Sequence, residues 1–236
     1  MFNLPPHRRC ACHTLNLIAK EDIAKRSDIG LLSIKTGVEA KIKQITKRQR
    51  KSPKASQKIN EVLGGLFVQP NSTRWNSWFN AHKRIALFLT KKRTELRELF
   101  HHFKIPFFRP IEEEFIKEFV RVMRPLAEAL DVLQADINVS TAHLLPTLNI
   151  LLNEMTNLET SGLKVCKNMP KIITNSINKR FAGYFEDEQL VIASILYPKF
   201  KVWWLHENER SCYIKRLTEL CQLLENQDND SENCVQ

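Results

Sequence analysis

The first residues with metal-binding chemistry lie close together near the N-terminus. His7, Cys10, Cys12 and His13 place four potential ligands within the seven residues HRRCACH. Tetrahedral zinc sites take imidazole and thiolate ligands, usually from two pairs that are well separated in the chain. No second pair follows at finger spacing, since the next histidine is His82. We therefore expect no bound metal and keep a zinc site as the alternative.

Motifs of nucleophilic, phosphate-binding and dinucleotide-binding sites are missing. The sequence has no G-x-S-x-G, no P-loop and no G-x-G-x-x-G. Three glutamates at 112–114 follow Pro110, and acids in a first helical turn interact favourably with the helix dipole. We interpret them as a helix start rather than a metal site. We expect no catalytic residue and no cofactor, with an enzyme of unrecognised site as a distant alternative.

An arginine and two tryptophans form a second group of interest. In NSTRWNSW, Arg74 precedes Trp75, and Trp78 follows three residues later. The Asn-Ser-Thr run before Arg74 supplies good N-cap residues, so a helix is expected to begin there. Trp75 and Trp78 then share an apolar face with Phe79, and at least one tryptophan is expected in the core. The pattern leaves open whether the Arg-Trp pair contacts a ligand.

Charge is distributed unevenly along the 236 residues, whose formal net charge is +10. Residues 1–118 carry 24 lysines and arginines against 11 acids, and residues 119–236 carry 12 against 15. A basic half predicts a polyanionic partner, with DNA or RNA first. The alternative is that the charge only favours solubility. No long uncharged apolar run is present, so we expect no membrane partner.

The densest cations lie in residues 41–58, KIKQITKRQRKSPKASQK, which hold eight lysines and arginines and no acid. Pro53 and the serines around it are expected to break any helix there, which favours an exposed basic linker. Attraction to phosphate without base specificity is the second interpretation. With Arg74 and Trp75 as secondary contacts, the candidate DNA-binding residues are Lys41, Lys43, Lys47, Arg48, Arg50, Lys51 and Lys54.

Helices are expected to position these groups. Apolar residues recur at spacings of three and four, only 6 glycines are present, and no strand-like alternation extends over five residues. We predict a mainly α fold, an irregular multi-helix array with little or no sheet. Pro125 is expected to kink or break the fourth helix. The predicted helices cover residues 14–24, 28–49, 74–103, 110–137, 140–158, 169–185, 187–196 and 207–226. The predicted core contains Trp78, Phe79, Phe119, Leu126, Leu130, Leu148, Leu151 and Leu152.

Six short motifs occur in an order that matches a known family. They are CACHTLNL (10–17), TRW (73–75), PLAEALDVLQ (125–134), LLPTLNILLNEM (144–155), RFAGYF (180–185) and ILYPKFK (195–201). Each motif alone is weakly specific, but the ordered set resembles the hAT superfamily of DNA transposases and its domesticated relatives over roughly residues 7–205. The resemblance implies an RNase H-like catalytic domain interrupted by a large helical insertion, and this chain is similar to the insertion.

The resemblance also implies roles for four residues. Cys10 and His13 would match a Cys-x-x-His motif beside the active site, and Arg74 and Trp75 would match an Arg-Trp motif. The tryptophan of that motif is implied to stack on a base at the transposon end during hairpin formation. Stacking on an aromatic side chain contributes about 1–3 kcal/mol per base. Trp75 is then the ligand-facing candidate, with its burial as the alternative, and Trp78 is the core candidate.

The sequence departs from the family where catalysis is concerned. Family strand transfer is implied to need three carboxylates holding two metal ions. Two of them precede the Cys-x-x-His motif, where only MFNLPPHRR stands here. Glu209 is followed by Arg210 but comes too soon after PKFKVWWL for the third, and Tyr197 stands where the family usually has aspartate. A BED-type zinc finger is also absent.

We therefore expect a truncated, catalytically inactive transposase-like protein that associates with DNA in the nucleus. The alternatives are a helical interaction module or a non-functional transposon remnant, in the cytoplasm if no DNA is bound. The oligomeric state is left open, because the family's C-terminal dimerisation region is not found. Three sections are expected: a helical segment with the Cys-x-x-His motif and basic linker (1–60), a helical insertion-like domain (61–226) and a disordered tail (227–236).

Overall fold

The computed structural model describes residues 9–71, 75–135 and 140–233, and it is mainly helical with no strand in those ranges. The prediction of a mainly α fold is confirmed. A π-helical segment (Ile18–Asp22) follows the first helix, and a 3-10 turn (Thr141–His143) precedes the eighth. The helices are α1 (Ala11–Leu17), α2 (Ile23–Arg26), α3 (Ile29–Lys51), α4 (Pro53–Leu63), α5 (Trp75–Lys91), α6 (Arg93–His102), α7 (Pro110–Leu133), α8 (Leu144–Glu159), α9 (Met169–Arg180), α10 (Glu188–Leu196) and α11 (Glu207–Asn233).

Capping side chains explain where two of the long helices begin. Asp28 accepts a hydrogen bond from the backbone N–H of Leu31 at 2.8 Å and starts α3. Ser52 accepts one from Ala55 at 3.2 Å and starts α4, whose first residue is Pro53. Proline suits this position because its missing N–H would have had no partner within the helix.

The basic stretch forms two helices rather than the linker that we expected. Its first part completes α3 as far as Lys51, only Ser52 interrupts the helix, and α4 follows directly. The prediction of a helix break near Pro53 is correct, but the break is one residue long. Helix α4 forms because Ala55, Ile59 and Leu63 recur at spacing four on a buried face.

Two other helix predictions concern continuity, one at Lys92 and one at Pro125. The predicted helix 74–103 is divided at Lys92, whose backbone leaves the helical region (φ −145°, ψ 47°) between α5 and α6. The side chain of Lys92 donates to the carbonyl of Val62 at 3.0 Å and ties this junction to the end of α4. Helix α7 continues through Pro125 without a break, and Met123 and Leu126 beside it are buried. Packing on both sides compensates for the hydrogen bond that the proline ring removes.

Helix α7 is the centre of the fold and packs against α1, α3, α5 and α8. Six of the eight predicted core residues are buried, while Trp78 and Leu152 are half-buried against the same core. The buried six are Phe79, Phe119, Leu126, Leu130, Leu148 and Leu151.

A buried carboxylate fixes the connection between α8 and α9. Glu118 of α7 accepts hydrogen bonds from the backbone N–H groups of Lys164, Val165 and Cys166, at 2.7, 2.8 and 2.7 Å. These three donors lie in a non-helical segment and would otherwise lack partners. One acid therefore attaches this loop to the central helix.

An ion pair joins the N-terminal segment to the end of α9, 158 residues further along the chain. The guanidinium of Arg180, at the end of α9, donates to both oxygens of Asp22 at 2.6 and 2.8 Å. Burial of Asp22 opposes ionisation, but the hydrogen bond from Arg180 outweighs it and lowers the pKa of Asp22. Arg180 belongs to the RFAGYF motif, so this motif has a structural role here.

Helix α11 is mostly exposed along its described side chains, which end at Leu223. Its backbone continues through residues 227–233, which lie in the section expected to be a tail. Among the helices described, none is both long and apolar enough to cross a bilayer.

Candidate nucleic-acid interface

Helix α3 presents part of the basic stretch on its outer side. Lys43, Lys47 and Arg50 recur at spacings of four and three and are exposed, while Ile42 and Ile45 of the same helix are buried. Residues at these spacings lie on one side of an α-helix. The amphipathic pattern of α3 therefore directs these three cations away from the core.

The same surface continues past the helix break. Arg48 is exposed on α3, Lys51 is exposed at its end, and Lys54 is exposed in the first turn of α4. Within the described ranges, none of these cations forms an ion pair with a carboxylate. We call the set the basic face; it consists of Lys43, Lys47, Arg48, Arg50, Lys51 and Lys54.

Lys41 does not belong to this face. Its ammonium group donates to the carboxylate of Glu112 and to the carbonyl of Phe107 at 3.1 Å, and 14% of its side chain is exposed. Burial alone would raise the pKa of Glu112, but hydrogen bonds from the Arg109 backbone and from Lys41 lower it below its usual value. Lys41 therefore holds α3 against the start of α7.

The acidic run at the start of α7 is used in ion pairs. Glu112 caps the helix by accepting from the backbone N–H of Arg109 at 2.6 Å. Glu113 accepts two hydrogen bonds from the guanidinium of Arg93, at 3.0 and 2.8 Å. This geometry agrees with the interpretation of the run as a helix start.

Trp78 lies at the border between the core and the basic face. Its ring is half-buried, and the ammonium group of Lys43 lies 5.2 Å from the ring centroid. A cation at this distance from an indole is attracted by the negative face of the ring. Sequence reasoning placed Trp78 in the core alone. Lys43 lies 35 residues earlier on another helix, so no local pattern indicated this contact.

The Arg-Trp pair can be placed only in part. Arg74 lies outside the described residues, and Trp75 is described only as the backbone residue that begins α5. The next turn is anchored, because Asn76 donates to Asp131 of α7 at 3.3 Å. The roles that the resemblance implies for Arg74 and Trp75 therefore stay predictions.

The Cys-x-x-His motif lies at the start of α1, while His7 is outside the described residues. The side chains of Cys10 and His13 are exposed, and the thiol of Cys12 donates to the carbonyl of Leu133 at 3.2 Å. Burial and the neighbouring Cys10 raise the pKa of Cys12. No three metal-ligating side chains of the described residues converge on one point.

Comparisons with known proteins provide one partial match. No family model and no solved structure matches the chain. The chain is similar to human zinc finger BED domain-containing protein 4, with 23% identity over 235 residues. The match covers 94% of this chain but 18% of the relative, so the chain spans less than a fifth of that protein's length. The BED finger in the relative's name agrees loosely with the hAT resemblance, which associates such a finger with transposases.

Proposed function

We propose that this chain is a transposase-derived helical module that associates with DNA through the basic face and does not catalyse strand transfer. The observation that carries the proposal is the basic face itself, six exposed cations without a carboxylate partner among the described residues. The match to a BED zinc finger protein supports the origin. A DNA partner places the protein's action in the nucleus.

The dimensions of the basic face suit a phosphate backbone. Lys43 and Lys51 are eight residues apart on α3, about 12 Å along the helix axis. Duplex DNA carries one negative charge per about 1.7 Å of its axis, so this length of helix faces several phosphates. Lysines and arginines that contact phosphate release counterions and give salt-sensitive affinity. Phosphates carry no base identity, so the binding has little sequence preference.

Two further residues complete the proposed contact. Trp75 begins α5, the helix that also carries Trp78, and Arg74 precedes it in the sequence; both act as secondary contacts. Non-specific affinities of this type are about 10⁻⁴ to 10⁻⁶ M at physiological salt.

The absence of strand transfer is supported by the pairing of two acids at the start of α7. Glu112 and Glu113 are paired with Lys41 and Arg93, and a carboxylate in such a pair has less capacity to bind a metal ion. We expect no nicking or hairpin formation with Mg²⁺ or Mn²⁺. Cleavage that is lost on substituting residues of this chain would contradict the proposal.

A salt titration with labelled duplex DNA tests the binding. At about 50 mM and about 200 mM salt, the native chain should bind with a steep dependence on salt. A variant with Lys47→Gln, Arg50→Gln and Lys51→Gln should bind all duplexes more weakly, and its slope in a double-logarithmic plot should flatten by about 0.9 per lost contact.

The matched control removes three exposed cations from the other half of the chain. It carries Lys164→Gln, Lys167→Gln and Lys171→Gln and should retain native binding. No binding by the native chain at the lower salt, or an equal loss in the control, would contradict the proposal.

A second candidate function is a protein-interaction module. It is favoured by apolar side chains at the C-terminal end, where Trp203, Ile214 and Leu223 are 73%, 49% and 55% exposed. Exposed apolar surface of this kind is typical of protein contacts. A chain that binds no DNA at low salt would favour this function.

A further inference from the structure

A cleft of about 630 Å³ opens between α5 and α7, apart from the residues of the basic face. Three cations line it: Lys83 and Arg84 of α5 and Arg124 of α7. Its lining contains no carboxylate, and no described acid forms an ion pair with any of the three. Positive charge therefore converges on this cleft, and the nearest acids in a shared lining, Glu128 and Glu154, belong to a second cleft that Arg124 also borders.

The guanidinium of Arg84 is held in place by its surroundings. Its central carbon lies 5.8 Å from the ring centroid of Phe88, and its side chain is half-buried. A Cβ atom at Gly65 would lie 3.1 Å from a terminal nitrogen of Arg84. A side chain at this position would crowd the guanidinium, so glycine leaves Arg84 room beside the cleft.

The remaining lining gives the cleft an apolar side. Leu87, Ala86 and Val120 lie beside the cations, and Leu87 is 41% exposed. Asn80 and Thr90 add neutral hydrogen-bonding groups. Phosphate matches the cations, and the flat face of a base or a sugar matches the apolar side.

The volume of the cleft limits the size of the ligand that it can bind. Sites for small molecules span about 300–1,000 Å³, a range that includes this cleft and suits one nucleotide. Several stacked base pairs of a duplex exceed this volume, whereas one unpaired nucleotide fits within it. We infer that the cleft binds one nucleotide of a single-stranded nucleic acid, with its phosphate held by Lys83, Arg84 and Arg124 and its base or sugar against Leu87.

This inference rests on the proposed association with DNA and adds a second contact to it. The basic face attracts the backbone of either a duplex or a single strand, because both expose phosphates. The cleft admits only a nucleotide that is free of a partner strand. The two surfaces therefore differ in the substrate that each requires, and this difference allows separate tests.

The test compares a short oligothymidylate with a blunt duplex in the full chain. A variant with Lys83→Gln, Arg84→Gln and Arg124→Gln should lose at least about tenfold in affinity for the single strand at about 50 mM salt. Its affinity for the duplex should change less than about twofold. The Lys164, Lys167 and Lys171 control described above should keep native affinity for both.

Two single variants keep the test valid if the triple variant does not fold. Arg124 and Leu87 are exposed, so Arg124→Gln and Leu87→Gln should keep the native melting temperature. Each should selectively weaken the single-strand complex. Native single-strand affinity in both would overturn the inference.

The remaining outcomes separate this inference from the proposed function. If the native chain binds neither probe, the proposed function fails, and the cleft inference fails with it. If the basic-face variant loses both probes while the cleft variants lose neither, the cleft inference alone fails. If the cleft substitutions abolish binding of a free mononucleotide and leave oligothymidylate binding unchanged, the cleft binds a small molecule. This outcome would also overturn the inference.

Discussion

Lys41 and Lys43 lie two residues apart on α3, yet they occupy different environments. The ammonium group of Lys41 is enclosed against Glu112, and that of Lys43 is exposed over the ring of Trp78. Both residues contribute equally to the net charge and to the basic appearance of the sequence. The difference shows that the partner of a cation, rather than its presence, decides whether it is available to a polyanion.

The same division extends to other cations of the molecule. Arg93 and Arg180 are engaged by Glu113 and Asp22, with N–O distances of 2.8 and 2.6 Å. Removing one member of a buried ion pair leaves an uncompensated charge and lowers stability. Replacing an exposed cation changes stability little. Substituting a paired cation should therefore lower stability more than DNA binding. Substituting an exposed cation of the basic face should lower DNA binding more than stability.

The largest expected effect is on stability, at Lys41. Lys41→Gln leaves the carboxylate of Glu112, 2% exposed, without its ammonium partner, and should lower the free energy of unfolding by about 3 kcal/mol. Lys43→Gln, the matched control on the same helix, should change it by less than about 1 kcal/mol. Chemical denaturation measures both. Equal losses in the two variants would contradict the division between paired and available cations.

An effect of comparable size should come from the buried His82. Its Nδ1–H donates to the carbonyl of Trp78 at 2.8 Å, and its ring lies 4.6 Å from that of Phe119. Burial lowers the pKa of His82 to about 4, against the opposing effects of the Trp78 carbonyl and Glu39, while Lys35 adds to the lowering.

The sign of the pH effect follows from this pKa. The unfolded chain takes up a proton near pH 6.5, whereas the folded His82 does so only near pH 4. Above pH 6.5, His82 therefore does not reduce the free energy of unfolding. As the pH falls below this value, the free energy of unfolding decreases, by up to about 3 kcal/mol near pH 4. Urea denaturation across this range should show the decline, and His82→Phe should flatten it above pH 5. A decline that persists in the variant would exclude His82 as its source.

The smallest expected effect is the coupling between Lys43 and Trp78. The contact should contribute about 0.5–1 kcal/mol, because it lies at the surface. A double-mutant cycle with Lys43→Gln and Trp78→Phe measures it through denaturation. Phenylalanine keeps a smaller aromatic face, so the cycle reports only the part of the coupling that depends on the indole. Additive effects would show that the two side chains act independently.

Much of the fold could be predicted from spacing alone. Helix α7 follows from its apolar stripe and from the proline and glutamates at its start, and six predicted core residues are buried. Helix α4 was not predicted, because Pro53 was interpreted as a breaker although it occupies the first helical position. A proline in the sequence can either break a helix or begin one. Here the capping hydrogen bond of Ser52, the residue before it, shows that Pro53 begins one.

The candidate site was less accessible to sequence reasoning. Composition identified the basic stretch, but the burial of Lys41 depends on Glu112, which lies 71 residues further along the chain. Sequence reasoning also missed the cleft cations, because helix α6 and a loop separate Lys83 and Arg84 of α5 from Arg124 of α7. Only tertiary packing brings such residues together.

The π-helical segment Ile18–Asp22 has a consequence for relatives of this chain. Its wider turn accommodates about one more residue than an α-helical turn does, and each α-helical residue advances by about 100°. Removing one residue there would convert the π-helical turn into an α-helical one and leave α1 and α2 in nearly the same angular relation. A homologue with a one-residue gap at this point would therefore keep both the Cys12–Leu133 and the Asp22–Arg180 contacts.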